Sequence, residues 1–209
     1  MQFLFDSSQN TSPVFLFAHG AGVGMDSAFM EVMAHGLAEK GIGVARFEFA
    51  YMAARRDDGR KRPPPRTPKL EEEFGGAIEA LQAKGPLFIG GKSMGGRIAS
   101  MIADGLFLEE KISGVLCLGY PFHPPGNPVN LRTAHLEGLK TPALICQGTR
   151  DPFGTIYEVG GYKLSNAIEL AWIDDGDHSF KPRRASGRSL EQNMAQAIDG
   201  VAGFIKRNT

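Results

Sequence analysis

Short apolar runs separated by longer amphipathic stretches leave this 209-residue chain few folds to choose from. The runs are Val14–Ala18, Val44–Phe49, Leu87–Gly90, Gly114–Leu118, Ala143–Gln147 and Ile168–Ile173. Each is apolar nearly throughout, as a strand covered on both faces must be, and joining such strands in parallel requires a helix-length crossover. The intervening segments provide one. Ser27–Lys40 sets Phe29, Met30, Met33, Leu37 and Ala38 on one helical face and stops at Gly41, and Leu70–Lys84, Met94–Asp104, Ile156–Leu164 and Leu190–Lys206 complete the helical set. The alternation predicts an α/β fold, a doubly wound and mostly parallel sheet of about six strands, with Met1–Phe5 available as an edge strand. Residues 1–209 are read as a single domain, since 42% hydrophobic content suits one sizeable core.

Two connections are irregular. Tyr51–Pro68 carries Arg55, Arg56, Arg60, Lys61, Arg62 and Arg66 with the run Pro63-Pro64-Pro65, and it is expected to be an extended surface loop rather than helix or central strand. It follows the second strand. Its cations either steer acidic esters toward a site on that sheet edge or are solvated and balanced by Asp57, Asp58 and Glu71–Glu73. Tyr120–Thr141 holds Pro121, Pro124, Pro125 and Pro128 and reads as a loop with one short helix near Leu131–Leu136. Neither connection has the length of a large cap domain, so any site should be open.

Lysine plus arginine and aspartate plus glutamate each total 23, so no global field favours nucleic acid or an anionic membrane, and the expected partner is a small-molecule substrate. The start at Met1-Gln2-Phe3 has no basic leader, and no apolar run approaches the roughly 20 residues that span a bilayer. A soluble, cytoplasmic protein is expected. Cys117 and Cys146 lie inside apolar runs and read as buried core thiols rather than a disulfide.

Ligands of parallel α/β sheets bind beyond the carboxyl ends of the strands, so the polar residues just past each predicted strand are the informative ones. Gly90-Gly91-Lys92-Ser93-Met94-Gly95-Gly96-Arg97 follows the third run and holds a Gly-x-Ser-x-Gly elbow, which would present Ser93 on a strained strand-to-helix turn. With 27 glycines in the chain, that pattern alone decides little. Asp151 follows the fifth run and His178 the sixth, giving the order serine, acid, histidine. A serine hydroxyl is a poor nucleophile near neutrality and needs a poised base, which His178 supplies, while Asp151 fixes the imidazole tautomer. Backbone amides of Met94 and of Ala21, in the loop His19-Gly20-Ala21-Gly22 after the first strand, would hold the oxyanion.

Other residues compete for these roles. His19 is expected to brace the oxyanion loop, His35 to lie on a helix surface, and His123, His135 and Phe153 are candidates for lining a substrate pocket. Asp174, Asp175 and Asp177 rival Asp151 as the acid, and with His178 they form the one cluster that could suggest a cation. It lacks a second group of ligands, so no metal and no cofactor is expected. A phosphate-binding loop at Gly91-Lys92-Ser93 fails on spacing, because the pattern needs glycine where Pro86 stands. Lys92 is therefore read as a solvated or salt-bridged side chain beside the elbow.

The chain resembles the α/β-hydrolase superfamily, particularly its small dienelactone-hydrolase-like members, over nearly its whole length. The elbow block, Gly119-Tyr120-Pro121-Phe122-His123-Pro124-Pro125-Gly126, Gly148-Thr149-Arg150-Asp151-Pro152-Phe153-Gly154 and Asp177-His178-Ser179-Phe180 are similar more narrowly to a bacterial group. That group is related to testis-expressed protein 30 and to subunit three of the non-specific-lethal chromatin complex. The resemblance implies a serine hydrolase with Ser93, Asp151 and His178 as its triad. It implies no substrate, and some relatives act as complex subunits, so a non-catalytic binding or scaffolding protein is the alternative. Dienelactone hydrolases proper use a cysteine where this chain has Ser93, which removes their particular reaction from first place.

Overall fold

A computed structural model describes residues 1–6 and 13–209. Seven strands form one sheet in the order β1-β3-β2-β4-β5-β6-β7. They are β1 Phe3–Asp6, β2 Val14–Ala18, β3 Gly43–Phe47, β4 Leu87–Lys92, β5 Gly114–Leu118, β6 Ala143–Gly148 and β7 Ile168–Ile173. The edge strand β1 runs antiparallel to β3, with Phe3 opposite Phe47, and every other pairing is parallel. Parallel pairing brings the carboxyl ends of β4, β5, β6 and β7 to one edge, where the connecting loops carry the polar residues.

Helices cover both faces. On one side α1 (Ala28–Glu39) packs beside α6 (Leu190–Arg207), burying Met30, Met33, Leu37, Val201 and Phe204 against Phe15, Phe17, Phe88 and Leu116. On the other, α3 (Thr67–Leu81) and α4 (Met94–Leu108) bury Leu70, Phe74, Ile98 and Ala103 against Leu16, Ile89 and Val115. Alternate residues of one strand thus serve opposite cores, which is why the strands read as continuous apolar runs. Cys117 and Cys146 are free and buried, one in each core. No helix among the described residues is long and apolar enough to cross a membrane.

The segment expected as an extended loop from Tyr51 to Pro68 is instead largely helical. Helix α2 spans Ala50–Asp58 and ends at Gly59, whose φ of 71° forms a left-handed terminus with its N–H donating to the Arg55 carbonyl at 2.9 Å. Proline governs only the stretch that follows. Pro68 itself lies in the first turn of α3, where its missing N–H removes no helical bond. Arg60, Arg62 and Arg66 are exposed, with Arg62 paired to Asp58, whereas two other arginines are tied to the fold. Arg56 bridges Glu48 (2.7 Å) and Asp26 (2.8 Å), and Arg55 donates to the Gly22 carbonyl at 3.2 Å. Other departures are shorter. The expected helix to Leu164 is α5, Ile156–Val159, opened by a Thr155–Glu158 capping box and followed by Gly160-Gly161, and the short helix near Leu131–Leu136 is a 3-10 turn at Ala134–Leu136.

Candidate active site

Ser93 stands between β4 and α4 with φ 51° and ψ −112°, a conformation that non-glycine residues rarely adopt. Its amide donates to the Leu118 carbonyl of β5 (3.0 Å), and the first turn of α4 begins at once with Arg97 N–H donating to the Ser93 carbonyl (3.0 Å). So sharp a turn requires close backbone approach. A side-chain carbon at Gly95 would lie 2.7 Å from the carbonyl oxygens of both Ala18 and His19, so glycine there lets the elbow meet the end of β2.

The three residues expected to act together meet. His178 Nε2 lies 2.9 Å from Ser93 Oγ, and His178 Nδ1 lies 2.8 Å from Asp151 Oδ2. Asp151 is fully buried. Its Oδ1 accepts the Phe153 amide (2.9 Å) and its Oδ2 also accepts the Gln147 side-chain amide (3.0 Å), so every neighbour is a donor. An ionised carboxylate so surrounded makes Nδ1 of His178 a donor, which leaves the Nε2 lone pair facing the serine hydroxyl. The Phe153 ring covers the imidazole with centroids 4.2 Å apart and planes 32° apart.

The loop after β2 lies against the elbow: a carbon added at Gly20 would sit 3.7 Å from Ser93 Cβ. Buried His19 holds this loop, with Nδ1 2.6 Å from the Gly20 carbonyl and Nε2 accepting the Phe49 amide at 3.2 Å. The Tyr51 hydroxyl, reaching across from α2, donates to the Ala21 carbonyl at 3.1 Å. Met94 heads α4, where the first amides have no intrahelical partner. The loop that carries Ala21 thus approaches the elbow at Gly20, and Met94 directly follows the nucleophile.

Of the residues expected to line a pocket, Phe153 lies over the His178 ring, while the two histidines are hydrogen-bonded within the fold. His123 is buried behind Phe153, with its amide donating to the Phe153 carbonyl (3.2 Å) and Nδ1 2.9 Å from the Pro124 carbonyl. His135 sits under α4, its Nε2 2.9 Å from Ser100 Oγ. That makes a second serine–histidine pair, but Ser100 Oγ already donates to the Arg97 carbonyl at 2.8 Å. Nε2 must then be the donor, which is the wrong tautomer for a base, and Ser100 is buried within a helix. Two of the three rival acids are engaged elsewhere. Asp175 pairs with Arg150 and Arg183, and Asp177 caps its own loop through the amides of Ser179 (2.8 Å) and Lys181 (3.0 Å). His35, expected on a helix surface, is exposed and lies 3.1 Å from Asp6.

Lys92 contradicts its reading as a solvated or salt-bridged side chain. It is 7% exposed, its Nζ donates to the His178 carbonyl at 2.6 Å, and it lies 5.3 Å from the centroid of the Phe29 ring. Burial lowers its pKa from 10.5 to about 8, against the opposing pull of Asp151 and Asp177. The elbow is too tightly enclosed for a side chain at this strand end to reach water. Gln147 went unremarked in the sequence, though its position offered a signal: a polar residue inside a doubly covered strand must be satisfied internally. It accepts the Tyr120 amide (2.7 Å) and donates to Asp151 and to the carbonyls of Tyr120 (3.1 Å) and Gly154 (3.2 Å).

The buried histidines set an acid limit on the fold. Burial, and secondarily Arg97, lowers the pKa of His135 from 6.5 to about 4, and burial likewise lowers that of His19. Between these values the unfolded chain binds protons that the folded chain refuses, so stability is full above about pH 6.5 and falls as pH drops toward 4. The urea midpoint should be lower at pH 5 than at pH 7, with a shallower dependence in His135→Phe. Equal wild-type midpoints would contradict neutral burial.

A family model described as an alpha/beta hydrolase domain matches residues 11–206. The chain belongs to this alpha/beta hydrolase family. Among solved structures, dienelactone hydrolase from Anabaena variabilis superposes with a TM-score of 0.73 at 19% identity, covering 99% of this chain and 91% of its own. An alpha-beta serine hydrolase homologue from Coxiella burnetii gives a TM-score of 0.67 at 15% identity, covering 99% of this chain and 90% of that one. Est1E from Butyrivibrio proteoclasticus, in a structure with bound ferulic acid, gives 0.69 at 14% identity, covering 99% and 94%. At such identities the likeness is one of fold.

Proposed function

We propose that this protein is a serine hydrolase that cleaves a carboxylic ester or thioester through an acyl-enzyme. The observation that carries the reading is the unbroken line from Ser93 Oγ through His178 to buried Asp151, with contacts of 2.9 and 2.8 Å. Ser93 Oγ attacks the substrate carbonyl carbon as His178 Nε2 takes the hydroxyl proton. Asp151 stays ionised and stabilises the imidazolium. The amides of Met94 and Ala21 receive the developing oxyanion, a kind of contact worth about 3 kcal/mol per donor. Collapse breaks the bond to the alcohol or thiol, which departs with the proton from Nε2, and water then attacks the acyl group by the same steps in reverse.

A cleft of about 350 Å³ adjoins the far end of the His19–Gly22 loop, lined by Gly22, Val23, Met52 and the charged Asp26, Glu48 and Arg55. The bound ferulic acid of Est1E and the name of the Anabaena protein favour carboxylic-ester chemistry. The elbow and acid-loop motifs support kinship with a bacterial group related to testis-expressed protein 30 and the non-specific-lethal subunit, and a cytoplasmic location accords with the free buried thiols. A panel of short-chain nitrophenyl esters and acyl thioesters tests the reading. Wild type should turn over at least one of them, and Ser93→Ala should be slower by about 10,000-fold or more. Equal rates would reject catalysis by Ser93 and favour a binding protein that keeps the hydrolase fold.

A further inference from the structure

We propose that Lys92 is a positioning residue for the general base, its buried head group fixing the main chain at His178 so that the imidazole meets Ser93. The inference rests on the triad reading and extends it to a residue outside the three. Lys92 ends β4 and precedes the nucleophile, while His178 lies in the loop between β7 and α6, 86 residues further along. A single hydrogen bond of 2.6 Å from Nζ to the His178 carbonyl ties the elbow directly to that loop.

The surroundings are built around this contact. Gly119, just past β5, has φ 67°, and a carbon added to it would lie 2.8 Å from Lys92 Nζ, 2.8 Å from the His178 carbonyl oxygen and 3.3 Å from His178 Nδ1. Its lack of a side chain is what allows the lysine and the carbonyl to meet. Phe29 of α1 closes the other side. Among the described residues Lys92 has no salt-bridge partner, so its burial is not explained by pairing. Placing an amine in an enclosed channel with Asp151 and Asp177 near but beyond salt-bridge distance is unfavourable, and a methionine would fill the channel without that penalty. What the amine adds is a fixed donor for one carbonyl, the carbonyl of the residue that must hold its ring within hydrogen-bond reach of Ser93.

The other hydrogen bonds of this loop, including those that Asp177 accepts from the Ser179 and Lys181 amides, do not reach the His178 carbonyl. Asn193 donates to the carbonyls of Asp174 (3.1 Å) and Phe180 (2.7 Å), and Arg150 to that of Asp175 (3.0 Å). Without Lys92 the loop would stay folded, while the imidazole would lose its direct tether to the elbow.

The test compares wild type with Lys92→Met in fluorophosphonate labelling of Ser93, ester turnover and urea unfolding. The expected result is a labelling rate and kcat lower by about 10- to 100-fold, the scale of a misplaced catalytic group, with KM within about twofold and an unfolding midpoint no lower than that of wild type. Unchanged kcat would overturn the proposal, as would a fall in kcat accompanied by a lower midpoint and raised KM, which marks a general structural role. Should Lys92→Met not fold, Gly119→Ala crowds the same contact with Lys92 in place, and unchanged kcat there would overturn the proposal equally. An unlabelled wild type would defeat the triad reading and this inference together. A labelled wild type with an unaffected Lys92→Met would defeat this inference alone.

Discussion

Asp151→Asn is expected to lower kcat by about 10,000-fold while leaving the fold in place. The carboxylate is fully buried and meets three donors, His178 Nδ1, the Gln147 amide at 3.0 Å and the Phe153 backbone amide at 2.9 Å. Asparagine has one acceptor oxygen for this set. If its amide group faces His178, the ring must accept at Nδ1 and carry its proton on Nε2, where it can no longer take one from Ser93. If its amide group faces Phe153, it opposes a backbone donor that has no other acceptor, whereas in the first orientation it opposes the Gln147 amide, whose two hydrogens can turn to the Tyr120 and Gly154 carbonyls, so the first orientation is favoured. Steady-state turnover of a short-chain ester, read beside the urea midpoint, checks the claim. A kcat within tenfold of wild type would mean that Asp151 does not set the tautomer.

Gly95→Ala is expected to be strongly destabilising, by about 3 kcal/mol or more. The added carbon would lie 2.7 Å from the Ala18 and His19 carbonyl oxygens and 2.8 Å from Ala18 Cβ. These atoms belong to the end of β2 and to the oxyanion loop, and no side-chain rotation relieves the contact. Either α4 tilts away from the sheet or the loop carrying Ala21 shifts, so whatever protein folds should also hydrolyse slowly. Urea denaturation gives the stability change directly. A loss below about 1 kcal/mol would show that the elbow yields more readily than its packing suggests.

The sheet was largely legible because doubly covered strands are apolar on both faces, and the strand-end positions of Ser93, Asp151 and His178 follow from that reading together with parallel topology. Three features were not legible, for separate reasons. Helix α2 was obscured because Pro63–Pro65 dominates its neighbourhood, whereas the chain from Ala50 to Asp58 contains no proline and is held by ion pairs of Arg56 to Glu48 just before it and to Asp26, 30 residues back. The burial of Lys92 depends on Gly119 and Phe29, which no local pattern links to it. The places of His123 and His135 depend on the course of a proline-rich loop, and the structure sets one behind Phe153 and the other against Ser100. Motif position thus located groups at strand ends, while the identity of their tertiary neighbours came only with the fold.

The central claim is that Ser93 is an activated nucleophile. Incubation of the folded protein with a fluorophosphonate, followed by peptide mass spectrometry, tests it most directly. The expected result is a single adduct on Ser93, absent from Ser93→Ala and formed far more slowly in His178→Ala. No adduct on the folded wild type, or one that survives Ser93→Ala at an unchanged rate, would contradict it.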